Sequence, residues 1–234
     1  MGCAGQHWLP TNLGPGHSSS RGGLASCADV LNEILTMELR HPALVELLQR
    51  AYSAERAAAL AYVGHARSLR DPAAIAAVQR IEQDEWDHRR NVLVLMQNYG
   101  VPVSGFYEFK FRVIGTLIGL ACHVIGRFMP FFFAGRLESG NVCEYFVMMR
   151  HFHSLGIREH DSVLYEMGLK EKEHEVYFLD QVRESRWLPF FEWLFSWGAH
   201  ASANDVDLQS PRRLGESHQY CKTRTEGHQT ARRE

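Results

Sequence analysis

Apolar residues recur every three to four positions between about residues 42 and 186, which is the period of an amphipathic α-helix. Asp71 followed by Pro72 is a typical helix start, because an acceptor side chain at the N-cap precedes proline in the first turn. The pattern predicts four long helices, over about 42–69, 72–99, 131–155 and 159–186. No alternating segment is long enough to predict a strand, so the expected fold class is all-α.

Short connections within each half predict two antiparallel helix pairs, which together form a four-helix bundle. A shorter helix is expected over about 26–40, with Ser26 as its cap. Residues 1–25 are rich in glycine and serine, and residues 201–234 are polar and charged, without an apolar period in either segment. Both segments are predicted to be disordered, which confines the folded domain to about 26–200.

Hydrophobic residues make up 45% of the chain, which is enough for this domain to bury a core. The net charge of −2 lacks the basic excess typical of nucleic-acid binding, so no nucleic-acid partner is expected. The five cysteines are scattered without a Cys-x-x-Cys pair, which argues against a disulfide scaffold and a cysteine-ligated metal site. Histidines and acidic residues are therefore the candidates for metal chemistry.

Two of the predicted helices contain the motif Glu-x-x-His, formed by Glu85 with His88 and by Glu171 with His174. Residues three apart lie on one face of a helix, so each motif can offer a carboxylate oxygen and an imidazole nitrogen to one ion. Each motif stands on the second helix of its pair. The repetition predicts two related halves of a single site.

A partner glutamate is expected on the helix before each motif. In the first pair this is Glu55, a single acid in an otherwise apolar stripe, where burial is costly without a metal or a charged partner. The midpoint between Glu55 and Glu85 falls at Arg70, beside the predicted turn at Asp71. An antiparallel hairpin therefore places the two carboxylates at the same height.

In the second pair the candidates are Glu138 and Glu144. Glu138 is favoured, because it also stands alone in an apolar stripe and has a tyrosine seven residues further along the helix, as Glu55 has. Glu144 remains the alternative, since its midpoint with the second motif falls slightly closer to the predicted turn at Gly156.

Four glutamates and two histidines on four inward helix faces are the ligand set of ferritin-like di-iron carboxylate proteins. An oxygen-rich site without thiolates favours two iron ions, with manganese as the alternative metal. The predicted ligands are Glu55, Glu85 and His88 for one ion, and Glu138, Glu171 and His174 for the other. The tyrosines Tyr62 and Tyr145 are expected either to assist the site, through hydrogen bonds or electron transfer, or to fill the core.

The chain resembles the demethoxyubiquinone hydroxylases of ubiquinone biosynthesis over about residues 44–185. Glu55 followed by Tyr62-Val63-Gly64 is similar to the Glu-x6-Tyr-x-Gly motif of that family. Glu85-x-x-His88 begins thirty residues after Glu55, as it does there.

The link between the two helix pairs also resembles that family. Gly115, Gly119 and Gly126 are followed by Glu138 and then by Tyr145, with a spacing similar to the family's link into its third core helix. This similarity strengthens the preference for Glu138 as the ligand of the third helix.

The resemblance implies an enzyme, a non-haem di-iron monooxygenase that uses O2 to add one hydroxyl group to a polyprenyl-benzoquinone ring. It further implies a lipid quinone substrate, an electron donor that the sequence does not identify, and assembly as a homo-oligomer or within a biosynthetic complex. The expected location is the inner face of a respiratory membrane, on the bacterial cytoplasmic or the mitochondrial matrix side. The alternative is a ferritin-like or rubrerythrin-like iron-binding oxidase or peroxide reductase without a quinone substrate.

Two segments are suited to peripheral contact with a membrane surface. Residues 111–136 are mostly apolar, but their longest uncharged run, 113–126, is shorter than the ~20 residues that a spanning helix needs. This segment is predicted either to lie in the membrane interface, which is favoured, or to form a buried crossover. Residues 187–198 contain three of the five tryptophans, a residue common at membrane interfaces.

Overall fold

The computed structural model describes residues 39 and 41–199, which contain six helices and no strand. The predicted all-α class is therefore confirmed for this part of the chain. The helices are α1 (Pro42–Ser68), α2 (Pro72–Asn98), α3 (Gly105–Ala121), α4 (Phe128–Ser154), α5 (Asp161–Val182) and α6 (Leu188–Phe195). The predictions for residues 1–25 and 201–234, and for the helix over 26–40 apart from Leu39, lie outside the described residues.

Side-chain caps begin the first two helices. His41 accepts a hydrogen bond through Nδ1 from a first-turn N–H of α1 at 3.1 Å, and Asp71 caps α2 in the same way at 3.0 Å. Each cap satisfies an N–H group that has no partner inside the helix, and a proline follows each cap. The predicted starts at Pro42 and Pro72 are confirmed.

The segment 111–136, which the sequence analysis treats as one unit, is divided between two helices. α3 ends at Ala121, and α4 begins at Phe128, three residues earlier than predicted. Gly126 lies between them with φ of +78°, a left-handed conformation that glycine adopts without steric cost. Pro130 is compatible with the first turn of α4, where its nitrogen needs no helical partner.

Helix α5 is shorter than the predicted 159–186, because the chain leaves the helix after Val182. The hydroxyl of Ser185 accepts from the backbone N–H of Trp187 at 3.3 Å, a local bond that competes with helix geometry. Pro189 also lacks the N–H that a continuing helix would donate to the carbonyl of Ser185. The chain therefore starts a separate helix, α6.

The four long helices pack as two pairs, α1 with α2 and α4 with α5, and contacts of α1 with α4 and of α2 with α5 join the pairs. Two apolar clusters fill the interior. One contains Ala51 of α1 and Met96 of α2, and the other contains Tyr62 of α1 and Val78 of α2. A separate layer lies between the two clusters. On α1 it consists of the residues between Ala51 and Tyr62, which include Glu55.

Helix α3 packs closely against α1 through small residues. A Cβ atom at Gly64 would lie 2.3 Å from the Cα of Gly119, and one at Gly115 would lie 2.4 Å from the carbonyl oxygen of Ala57. Only glycine at these positions permits so close an approach. This crossing sets the position of α3 against α1.

Glu108, near the start of α3, joins this helix to the first pair. Its carboxylate accepts hydrogen bonds from Arg56 of α1 and Arg89 of α2, both at 2.9 Å. Charge-assisted bonds of this kind are stronger than neutral ones, so they reinforce the position of α3.

Helices α3 and α6 expose large apolar side chains. Leu117 of α3 is 60% exposed, and Trp193 of α6 is 76% exposed. Trp197, which the sequence analysis grouped with the interfacial tryptophans, is instead fully buried, and its indole N–H donates to Glu175 at 2.8 Å. None of the described helices combines the length and the apolar character needed to cross a bilayer.

Candidate metal centre

The six predicted ligands meet in the layer between the two apolar clusters, and their side chains come from all four long helices. Each of the six residues is 0–4% exposed. Their donor atoms form two groups of four, and within each group all the atoms lie within 4.8 Å of one another. The groups are Glu55, Glu85, His88 and Glu171, and Glu85, Glu138, Glu171 and His174. Glu85 and Glu171 belong to both groups, so their carboxylates could bridge two ions.

The two Glu-x-x-His motifs face each other across this layer. Nδ1 of His88 lies 2.8 Å from Oε1 of Glu171 and 3.9 Å from Oε2 of Glu85. Nδ1 of His174 lies 3.3 Å from Oε1 of Glu85 and 3.7 Å from Oε2 of Glu171. Each imidazole nitrogen is therefore close to both shared carboxylates, as expected for ligands of one compact centre.

Seven polar atoms of this cluster are buried and form no hydrogen bond of acceptable geometry. They are Oε2 of Glu55, both carboxylate oxygens of Glu85 and of Glu171, and Nδ1 of His88 and of His174. Buried polar atoms without partners are rare in folded proteins and need an explanation. Two divalent cations would neutralise the four carboxylates and coordinate these atoms, so the buried donors fit a dinuclear metal site.

Burial and mutual repulsion raise the proton affinity of two of the carboxylates. Burial raises the pKa of Glu55 well above its usual range, and the charges of Glu85 and Glu171 raise it further. Burial likewise raises the pKa of Glu138, with a further contribution from Glu171. Cations that bind these two glutamates therefore compete with protons.

Glu171 and the histidines form the charged part of the cluster. Burial alone would raise the pKa of Glu171, but the neighbouring groups of Glu138, His88 and His174 hold it well below its usual range. Burial alone would lower the pKa of the two histidines, but nearby acids raise it for both, and well above the usual value for His174.

The two tyrosines donate hydrogen bonds across the bundle. Tyr62 of α1 donates to Glu138 of α4, and Tyr145 of α4 donates to Glu55 of α1. Each tyrosine therefore contacts the glutamate of the opposite helix rather than the one seven residues before it. These bonds orient Glu55 and Glu138, the two carboxylates that each belong to only one donor group.

Glu144 lies outside both donor groups. Its carboxylate instead lies 3.8 Å from a guanidinium nitrogen of Arg50 on α1. Of the two candidates in the third predicted helix, the structure thus brings Glu138 into the cluster. The helical period explains the difference, because Glu144 follows Glu138 by six residues, which places it roughly 120° around the helix from the face of Glu138.

Asp84, the residue before the first motif, also contacts the cluster, although no pattern in the sequence predicts this contact. Its carboxylate lies 3.1 Å from Nε2 of His174, on the side of the imidazole away from the other ligands. Such a contact holds the ring orientation and leaves Nδ1 free for a metal ion. The position of Asp84 next to Glu85 is only a weak sequence signal for this role, since acidic residues are common on exposed helix faces.

Comparisons with known proteins provide no independent assignment. No family model, curated protein or solved structure matches this chain. What the described residues show is a buried cluster of glutamates and histidines that could hold metal ions. The function must therefore be inferred from this cluster and its surroundings.

Two cavities of different character flank the cluster. An apolar cavity of about 400 Å³ lies between α1, α3 and α4, and its wall includes Tyr62 and Glu138. A polar cavity of about 380 Å³ lies between α2 and α5, and its wall includes Asp84 and His88. The two faces of the cluster thus adjoin an apolar and a polar environment.

Replacing Asp84 by asparagine is expected to weaken metal binding about 10- to 100-fold, because the amide cannot supply the negative charge that orients His174 and makes it more basic. Titration of the metal-free protein with Co²⁺, followed by its visible absorption, measures the affinity. Asp87→Asn is the matched control, since Asp87 is on the same helix and pairs with Arg90 at the surface. An equal loss in both variants would contradict the role of Asp84.

Proposed function

We propose that this protein is a ferritin-like di-iron monooxygenase that hydroxylates the ring of a lipid benzoquinone. The resemblance to demethoxyubiquinone hydroxylases suggests the reaction, and the buried Glu4His2 cluster supplies suitable ligands. The observation that carries the proposal is that the apolar cavity reaches a ligand of this cluster, Glu138. A substrate in the cavity would therefore lie beside the metal ions.

The dimensions and lining of the cavity suit such a substrate. Its volume is in the range of small-molecule sites, and it is lined by apolar residues such as Ile118 of α3 and Phe133 of α4. Polar groups are few, and two of them, Tyr62 and Asn141, donate hydrogen bonds to Glu138 of the cluster. A quinone ring and the first part of a polyprenyl tail have this combination of apolar surface and few oxygen atoms.

Two iron ions held by the cluster would supply O2 activation, with one oxygen atom entering a ring C–H bond and the other leaving as water. The stoichiometry of this hydroxylation requires two electrons and two protons, which an electron donor would supply. Glu85 and Glu171, which belong to both donor groups, would hold the ions together with the other four ligands. Tyr62 orients Glu138 beside the cavity, and the apolar walls exclude water from the reacting ring.

Turnover with a labelled oxidant tests this function. Iron-loaded protein is supplied with a chemical reductant, ¹⁸O2 and a demethoxy-benzoquinone with an alkyl tail, and the product is analysed by mass spectrometry. We expect one labelled oxygen atom in the quinone. Consumption of O2 or peroxide without a hydroxylated quinone would contradict the proposal and favour an iron-binding oxidase or peroxide reductase.

We further propose that the protein binds the surface of a respiratory membrane, on its cytoplasmic or matrix side, through the exposed apolar residues of α3 and α6. Both helices adjoin the first turns of α4. Phe133 of α4 lines the apolar cavity together with Ile114 of α3, and its ring lies 5.1 Å from that of Phe195 on α6. A membrane contacting these helices would lie beside the cavity that receives the quinone.

Replacing Leu117 or Trp193 by glutamate is expected to reduce binding to lipid vesicles by about tenfold or more, because each change replaces an apolar side chain that would enter the membrane with a charged one. Sedimentation with vesicles measures the bound fraction. Val94→Glu is the control, since Val94 is 53% exposed but lies on α2. If Val94→Glu reduces binding as much as the other two changes, α3 and α6 do not form the membrane contact.

A further inference from the structure

His65 is a buried polar residue that the cluster does not use. It is 2% exposed, and its Nε2 atom has no hydrogen-bond partner. Its ring packs edge-on against Phe131 with centroids 4.6 Å apart, and lies nearly parallel to Phe178 at 6.2 Å. An imidazole nitrogen left without a partner among aromatic rings destabilises the fold, so an apolar residue would suit this position better for packing alone.

His65 lines the apolar cavity and lies three residues beyond Tyr62 on α1. The hydroxyl of Tyr62 donates to Glu138, the ligand that borders the same cavity. Three residues advance about 4.5 Å along a helix, a span comparable to a single six-membered ring. A ring between His65 and Glu138 could therefore contact both.

Two other polar side chains of the cavity wall already have partners. The side-chain amide of Asn141 donates to Glu138 at 3.0 Å, and Arg136 donates to the backbone carbonyl of Phe195 at 3.2 Å. Burial lowers the pKa of His65 to about 4, so the imidazole is neutral at physiological pH. A neutral imidazole can donate one hydrogen bond to an uncharged oxygen, such as a ring carbonyl.

We infer that His65 is a specificity-determining residue that donates a hydrogen bond to a ring oxygen of the quinone in the apolar cavity. This inference rests on the proposed function, since it assumes a quinone substrate. The hydrogen bond holds one edge of the ring at His65 and directs the opposite edge toward Glu138. His65 thereby selects which ring carbon faces the metal ions, while the apolar walls bind the tail without selecting an orientation.

Binding of two ligands to three forms of the full-length, metal-loaded protein tests this inference. The ligands are a decyl-substituted methoxy-benzoquinone and decylbenzene, which has a similar shape without ring oxygens. The proteins are the wild type, His65→Leu, which removes the donor at similar volume, and His65→Gln, which retains an N–H donor. Calorimetry in detergent solution gives the dissociation constants, and thermal unfolding gives the midpoint of each protein.

We expect His65→Leu to bind the quinone about fivefold more weakly and decylbenzene as tightly as the wild type does. We expect His65→Gln to recover most of the quinone affinity. The unfolding midpoint of ligand-free His65→Leu should equal or exceed that of the wild type, because the change removes a buried atom without a partner.

Two results would overturn the inference about His65 without contradicting the proposed function. One is unchanged quinone binding in His65→Leu, and the other is an equal loss for both ligands, which would indicate that His65 only shapes the cavity. Failure of the wild type to bind or hydroxylate the quinone would overturn the proposed function as well. A wild type that binds and hydroxylates the quinone, with unchanged binding in His65→Leu, would leave the proposed function intact.

Discussion

Replacing Glu138 by alanine is expected to abolish the proposed quinone hydroxylation and to lower the metal content from about two ions per chain to about one. Glu138 belongs to only one of the two donor groups, so its loss leaves the group that contains Glu55 and His88 complete. Glu171→Ala removes a carboxylate shared by both groups, and we expect it to lose both ions. Iron analysis and visible absorption of the purified proteins measure the content.

Glu144→Ala is the matched control, because Glu144 lies on the same helix and is paired with Arg50 outside the cluster. We expect this variant to retain both ions and its activity. If Glu144→Ala loses half of the iron while Glu138→Ala retains it, the ligand assignment in α4 is wrong. Loss of activity in Glu138→Ala with full metal content would instead place this residue in substrate binding.

Removing the metal ions is expected to make the stability of the protein fall steeply as the pH rises above about 6.5. In the metal-free protein the pKa values of Glu55, Glu138, His88 and His174 all lie above their usual values. In this pH range the folded state therefore binds more protons than the unfolded state, so stability decreases with pH. Each such group contributes a slope of about 1.4 kcal/mol per pH unit while only the folded state holds its proton.

The window begins at about pH 6.5 because His65, His151 and His160 have the opposite effect below it. Burial lowers the pKa of each of these histidines, and that of His65 to about 4. Below about pH 6.5 the unfolded state therefore binds their protons more tightly, and their contribution to stability rises with pH. Denaturant unfolding of the metal-free protein at several pH values above 6.5 measures the expected decrease.

The metal-loaded protein is the first control for this effect. Because cations replace the protons of the cluster, its stability should change little over the same range. Metal-free Glu138→Gln is the second control, and its slope should be smaller by the contribution of one group. Equal slopes with and without metal would show that the cluster does not take up these protons.

Much of the architecture was predictable from local sequence. The helical period and the caps at His41 and Asp71 depend on residues within a few positions, and the predicted starts of α1 and α2 are confirmed. The start of α3 was also predictable from local sequence, since Ser104 caps this helix and Glu108 lies in its first turn. The end of α5 was missed, because it depends on a local bond at Ser185 that the apolar period does not reveal.

The candidate ligands were also accessible from the sequence, because repeated Glu-x-x-His motifs and single acids in apolar stripes are local patterns. The choice between Glu138 and Glu144 was less secure, since it depends on the rotation of α4 about its own axis. The contact between Asp84 and His174 joins residues 90 positions apart, and no local pattern predicts it.

By itself, the sequence determined which segments are helical, which side chains share a helix face, and which acids would be costly to bury alone. These properties follow from backbone geometry and from the chemistry of neighbouring residues. The packing of distant helices was needed to show that Tyr62 and Tyr145 donate between α1 and α4, that Trp197 is buried, and that a cavity lined by His65 adjoins the candidate ligand Glu138. Such contacts depend on how distant helices pack against one another, and the period of one helix carries no information about the partner it will meet.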